Sequence, residues 1–385
     1  MCRVCVEVLL NRRGTVAVCT DSFRVHMKRS LVSHSLLLVS ALVVRSQALE
    51  ATLFSSEFTL LPAGARQIAL GNAGVALALD GLSAYSNPAA SSFLESLEMR
   101  TEGARLYGGL ASQGIAAVAA PLPEGLGAVV QYHSLWSHEI LRQDSLPADY
   151  ATRLAQPSLR ADGSHRGAFR NNHHMLVLGG AKQYPLPIPR PPGLSVPLPV
   201  DIGFGLNLKY YWQTMDPDGV MHMGMNLNLD AGVLLRIGVD YDLVAQRVSR
   251  QLCFGVAVRN LVPTRMIWVH SPTDYSERVY NTQEYGLAYL DNAGLGWLTW
   301  RGALSLQRTW GEKEDSDNGQ GYNLSRHFGM EFTVANLVDI RGGIADGVVG
   351  LGAGVRYRAY SFDYLFRFDR IDYSSLRLAL GVSLR

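Results

Sequence analysis

LRLALGVSLR, residues 376 to 385, is the stretch whose reading decides the fold. Leu376, Leu378, Leu380, Val382 and Leu384 share one face, and Arg377, Ala379, Gly381, Ser383 and Arg385 share the other. A period of two places these residues on opposite sides of a β-strand. The apolar face carries no charge and the other face carries two arginines, so the strand separates an oily environment from a wet one.

The same alternation recurs upstream. Ile202, Phe204, Leu206, Leu208 and Tyr210 oppose Gly203, Gly205, Asn207 and Lys209, and Met223, Met225, Leu227 and Leu229 oppose Gly224, Asn226, Asn228 and Asp230. It returns in 252–261, 304–310, 328–334, 349–357 and 362–368, and less regularly in 97–107, 114–122, 126–136, 174–184, 284–291 and 337–344. The second face is too polar for the inside of a sandwich. The pattern therefore predicts an all-β, transmembrane antiparallel barrel of about 14 strands, an even number of segments long enough to cross a bilayer at a tilt. Tyr107, Trp136, Tyr184, Tyr210, Trp212, Trp297, Trp300, Trp310, Tyr357 and Tyr360 fall toward strand ends, where amphipathic rings settle at a membrane interface. Long polar segments 138–171, 262–282 and 311–325 fall on one side, and tight turns such as 359–361 on the other. The proline-rich segment 185–199 falls on the short-turn side, where it reads as a stiff extended excursion.

Ahead of the strands, Met27, Lys28 and Arg29 precede an apolar run, 31–44, that closes on Ser46-Gln47-Ala48. This reads as a cleaved secretory signal (27–48), since polar residues interrupt the run and it is short for a spanning helix. Residues 1–26 then form a possible extension upstream of the true start; they hold Cys2, Cys5 and Cys19, whose spacing lacks the paired motifs of a zinc site. The lone Cys253 that remains cannot form an internal disulfide. A net charge of +2, with 35 cations scattered along the 385 residues, gives no nucleic-acid footprint.

Residues 49–96 are expected to form an N-terminal hatch or plug, and 97–385 the barrel. The segment GARQIALGNAGVALALDGLSAYSNPAASSF, 64–93, is rich in small residues that permit close packing inside a cavity, and its glycines lack the GK[ST] ending of a phosphate loop. It resembles the N-terminal region of outer-membrane barrels of the long-chain fatty acid transporter (FadL-like) superfamily, especially the PorV/PorQ-like branch. Gly64-Ala65-Arg66, Gly71, Gly74, Ala76, Asp80 and the Asn87-Pro88-Ala89 triplet carry the resemblance. It continues through GFGLNLKYY around Lys209, DAGVLLR at 230–236, GVAVRNL at 255–261 and 341–366. The final Arg385 departs from the aromatic residue with which such barrels commonly end.

The resemblance implies a bacterial outer-membrane protein inserted by the outer-membrane assembly machinery. It also implies a hatch in which Arg66, Asp80, Asn87, Pro88 and Ala89 bind ligand or gate the channel, and a hydrophobic ligand such as a long-chain fatty acid; for Arg66 and Asp80, anchoring to charges of the barrel wall is the plainer reading than ligand contact. Lys209, Arg356 and Arg358 are candidate lumen cations that could hold a carboxylate head group; Arg367, Arg377, Asp363, Asp369 and Glu331 face the same way, and mutual neutralisation is the plainer reading. No cofactor, metal or catalytic group is expected. His133, His138, Asp144 and Asp149 could supply a histidine–carboxylate dyad, yet no signature fixes a nucleophile beside them. His173 and His174 point to opposite faces and cannot form a metal pair. Two functions follow: an uptake channel for hydrophobic molecules working by passive diffusion through a hatch-gated lumen, or a non-transporting barrel that docks subunits or substrates of a protein-secretion system.

Overall fold

The computed structural model describes residues 58–59, 61–137, 139–142, 149–159, 167–186, 199–216, 219–242, 247–262, 264–269, 278–292, 297–310, 321–368 and 374–384. The signal segment, Cys2, Cys5, Cys19, His138, Asp144, Asp369 and Arg385 lie outside the described residues.

Fourteen antiparallel strands close on themselves. They are β1 (Leu97–Leu106), β2 (Ala111–Leu122), β3 (Leu126–Ser137), β4 (Asn171–Leu186), β5 (Val200–Met215), β6 (His222–Asp242) and β7 (Arg247–Arg259), followed by β8 (Thr282–Asp291), β9 (Leu298–Trp310), β10 (Tyr322–Val334), β11 (Val338–Ala345), β12 (Val348–Tyr357), β13 (Tyr360–Phe368) and β14 (Ser374–Leu384). Each pairs with its chain neighbour, and β14 returns to β1 with Leu97 opposite Leu384 and Arg105 opposite Leu376. Closure removes the free edges that an open sheet of this size would expose. The ladder shifts register only in the β6–β7 pair, around Gly238 and Asp240, so the described wall has no sideways break.

The alternation of the last strand now has a direction. Leu376, Leu378, Leu380 and Leu384 stand exposed on the outside, whereas Arg377 and Ala379 are buried in the lumen. The same holds around the ring: Leu206, Leu227, Ile340 and Leu351 are half or more exposed, while Asn207, Asp230, Glu331, Asp339 and Arg341 are buried. A closed ladder with an apolar exterior and a polar interior is the architecture of a membrane-spanning barrel. Tyr107, Trp136 and Trp310 are exposed near one rim, and Tyr184, Trp297, Tyr357 and Tyr360 near the other. No helix among the described residues is long and apolar enough to cross a membrane.

All the strands expected from alternation are present. Of the proline-rich segment 185–199, Pro185 and Leu186 still belong to β4, Pro199 precedes β5 at the short-turn end, and 187–198 lie outside the described residues. One expectation needs correction. The loop between β7 and β8 is not simply a polar outer excursion, because Met266 and Val279 turn inward and are buried. Ile267–Val269 adds itself to the edge of β6, and Thr264 accepts hydrogen bonds from Asn226 (2.7 Å) and Asn228 (2.9 Å). Met266 and Val279 of that loop thus line the lumen.

Candidate functional site in the barrel lumen

Residues 64–93 fill the lumen. A short helix, Ala65–Ala69, is buried along its whole length, and a 3-10 segment, Pro88–Phe93, packs against the strands from β2 to β6. The wall makes room for this backbone with inward-facing glycines. A Cβ at Gly329 would overlap the Leu70 carbonyl, one at Gly343 the Gly71 amide, one at Gly255 the Val75 carbonyl and one at Gly205 the backbone of Pro88. Glycine inside a strand marks such a close approach. That signal was visible in the sequence at Gly205, Gly255, Gly329 and Gly343 without being read as a seat for the hatch.

The Asn87-Pro88-Ala89 triplet is a clamped turn. Asn87 caps the 3-10 segment by accepting from the Ala89 amide at 3.1 Å, and Pro88 follows at the position where a missing N–H costs nothing. The Asn87 amide group donates to the Val75 carbonyl at 2.7 Å and to the Val233 carbonyl of β6 at 3.0 Å. One side chain thus ties two parts of the hatch to each other and to the wall.

Arg66 and Asp80 belong to a buried ion network. Arg66 donates twice to Glu331 of β10, at 2.8 and 2.7 Å. Glu331 also accepts from Arg301 at 3.0 Å and Arg341 at 2.5 Å. Arg341 goes on to Asp339 (2.7 Å) and Asp363 (2.5 Å), and Arg356 reaches Asp339 at 2.5 Å. Arg100 closes the chain, contacting Asp363 at 3.0 Å, Asp80 at 3.4 Å and Glu98 at 3.8 Å. Five arginines therefore meet five carboxylates, and the network is formally neutral. A second tie runs from the Ala65 amide to Glu102 (2.7 Å), which also pairs with Arg377. Buried charges in this arrangement are held by one another.

The lumen cations proposed as carboxylate holders are thus already engaged. Lys209 sits 2.7 Å from both Asp230 and Asn260, and Arg356 is the partner of Asp339. Arg358 is not a lumen residue. It occupies the β12–β13 turn with a positive φ of 55°, exposed, its guanidinium 5.3 Å from the Tyr357 ring. The alternation that placed it inward ends one residue earlier, where the chain turns.

Beside the hatch, toward the long-loop end, lies an apolar cluster. Ile115 and Ala117 of β2, Met175 and Val177 of β4, Tyr211 of β5, Met266 and Val279 of the β7–β8 loop, and Leu82 and Tyr85 of the hatch form it, with Leu135 and Trp268 packed against it. Phe58, from the segment leading into the hatch, belongs to it, its ring stacked 5.4 Å from His173 and tilted against Tyr211 at 5.7 Å. Its polar edge is a chain of hydrogen bonds in which Tyr211 meets His173 at 2.7 Å and Gln213 at 3.1 Å. The buried indole N–H of Trp268 finds no hydrogen-bond partner among the described residues. Sequence reasoning missed this cluster, because its members come from separate strands and from a loop read as polar.

Among the described residues, His133 and Asp149 do not form a dyad. His133 is buried, 4.8 Å from the Tyr85 ring and 3.0 Å from the Gln131 side chain. Asp149 caps the loop helix Tyr150–Ala155, and hydrogen bonds from Thr152 hold its carboxyl below the usual range. His173 faces the lumen, whereas His174 stacks outside on Trp212 at 5.1 Å.

No protein-family model matches the sequence, and no curated protein matches it. Solved structures with a similar chain path include the toluene transporter TbuX of Ralstonia pickettii, 9% identical, covering 85% of this chain and 100% of that one with a TM-score of 0.49. The toluene transporter TodX of Pseudomonas putida is 10% identical over 84% of this chain and 98% of that one, TM-score 0.46. A FadL homologue of Pseudomonas aeruginosa is 10% identical over 84% and 98%, TM-score 0.44. At these identities the likeness concerns the chain path alone, and the barrel rests on the closed ladder itself.

Proposed function

We propose that the chain is a bacterial outer-membrane channel for passive uptake of hydrophobic small molecules, and that the apolar cluster around Phe58 is its binding chamber. The observation that carries this reading is an apolar cluster with aromatic members, packed around a side chain of the chain's own N-terminal segment and set beside buried charged groups of the lumen. A cargo that partitions out of water needs an apolar site of this kind once Phe58 gives way. Ligand takes the place of Phe58, and release follows movement of the hatch. A neutral or weakly polar molecule fits better than a long-chain carboxylate, because Lys209 and Arg356 are engaged in ion pairs and the chamber edge offers hydroxyl, imidazole and indole groups.

One observation favours the second reading, a non-transporting barrel that docks secretion-system subunits: the hatch is seated backbone to backbone on wall glycines. Uptake of labelled toluene and labelled palmitate into liposomes carrying the purified protein separates the two. Saturable uptake above empty liposomes, weakened by Met175→Trp, supports transport; uptake equal to empty liposomes for both probes rejects it. Co-purification with secretion subunits would then support docking.

A further inference from the structure

The outside of the barrel is not uniformly convex. A groove of about 720 Å³ crosses β3 to β7 on the lipid-facing side. The strand register explains its shape. Ala128, Gly180, Leu206, Ala231 and Val258 lie side by side in one row, and three of the five are small. The row toward the short-turn end is Leu126, Lys182, Phe204, Val233 and Val256; the row on the other side carries Val130, Leu178, Leu208 and Leu229. Ala128, Gly180 and Ala231 make a shallow trough between two bulky rows, with Leu206, 60% exposed, standing partway along it. At the usual spacing of neighbouring strands the groove spans about 19 Å, and an acyl chain lying along it passes beside Leu206. The wall is thin here, since Gly205 and Gly232, which line the groove, also touch Pro88 and Asn87 of the hatch.

One charge stands in this apolar surface. Lys182 lies in the row nearer the short-turn end, its ammonium 5.7 Å from the ring of the exposed Tyr184. Its acidic neighbour, Glu124 at 3.6 Å, has a side chain that is 81% exposed, so that pair is weak. An exposed tyrosine beside a lysine marks the depth of lipid head groups.

We infer that this groove is a binding site for one anionic glycerophospholipid of the short-turn-side leaflet, an acyl chain lying in the Ala128–Gly180–Ala231 trough and the phosphate meeting Lys182. The charge argues for an anionic head group over a second copy of the chain, whose same groove would bring a like charge. The inference needs only the membrane-spanning fold and stands apart from the transport reading.

Native mass spectrometry of the detergent-solubilised barrel, titrated with phosphatidylglycerol or phosphatidylcholine of equal chain length, tests it. One phosphatidylglycerol is expected to be retained more strongly than phosphatidylcholine, with Lys182→Gln reducing that preference about fivefold. Gly180→Leu abolishes retention by filling the trough; its Cβ points into open space, nearest the Gly127 carbonyl at 4.0 Å, so the fold is spared. Gly103→Leu on β1, outside the groove, is the control, since a Cβ there meets nothing within 4 Å. Heat-modifiable migration verifies that each variant is folded. Equal retention of both lipids, retention unchanged in Gly180→Leu, or a dimer cross-linked through position 180 would overturn the proposal.

Discussion

Replacing Arg66 by methionine removes the cation that joins the hatch to β10 while keeping most of its bulk. Arg66 and Glu331 are 6% and 0% exposed, and the variant leaves four arginines facing five carboxylates. Breaking a buried pair on one side costs about 3 to 5 kcal/mol. Glu331 keeps Arg301 and Arg341, which draws the expected loss toward the lower figure. A loss of about 3 kcal/mol, carried by the hatch and not by the wall, lowers the ratio of seated to unseated hatch roughly 100-fold. Single-channel conductance in planar bilayers and the rate at which protease trims residues 64–93 both read that ratio. Glu331→Gln shifts the balance the other way, and the double variant restores four charges of each sign. A coupling of about 1.5 kcal/mol or more is expected for the cycle. Wild-type conductance and trimming in Arg66→Met, with coupling under about 0.5 kcal/mol, would refute the argument that this pair holds the hatch.

Gly329→Ala forces a Cβ onto the Leu70 carbonyl and is expected to unseat the hatch at a cost of about 1 to 3 kcal/mol, raising conductance while heat-modifiable migration is retained. Asn87→Ala strands the Val75 and Val233 carbonyls and should loosen the same segment by about 1 to 3 kcal/mol, measured as faster amide exchange across 87–93. Phe58→Ala vacates part of the apolar cluster and is expected to raise the affinity for labelled toluene in a binding titration; unchanged affinity would place the cargo elsewhere. Leu378→Arg puts a charge on the lipid face and should cost about 2 to 4 kcal/mol in a urea titration of the folded barrel in vesicles, whereas the neighbouring Arg377 is already accommodated inside.

The strands were legible because alternation is a local property. Each two-faced segment had to separate lipid from water, and fourteen such segments close without an edge. The hatch was legible through its small residues, and the resemblance supplied its place. Arg66 and Asp80 were found as candidates, yet their partners Glu331 and Arg100 lie far along the chain in one case and on an unremarkable strand in the other. Sequence alternation states that Arg356 and Glu331 face inward but not which charges meet.

The chain's sequence by itself determined strand number, facing and the order of long and short connections, since those depend on neighbours two residues apart and on the solvent each face meets. Only the tertiary structure decided three things. Arg358 lies in a turn, because one residue at the end of a period reverses its direction. Lys209 and Arg356 are paired with carboxylates rather than waiting, because electrostatic pairing depends on distances set by the closed ladder. The apolar cluster forms, because Phe58, Met175, Tyr211 and Met266 meet only when strands curl round and a loop folds in, and no local pattern encodes a contact among residues so far apart in the chain.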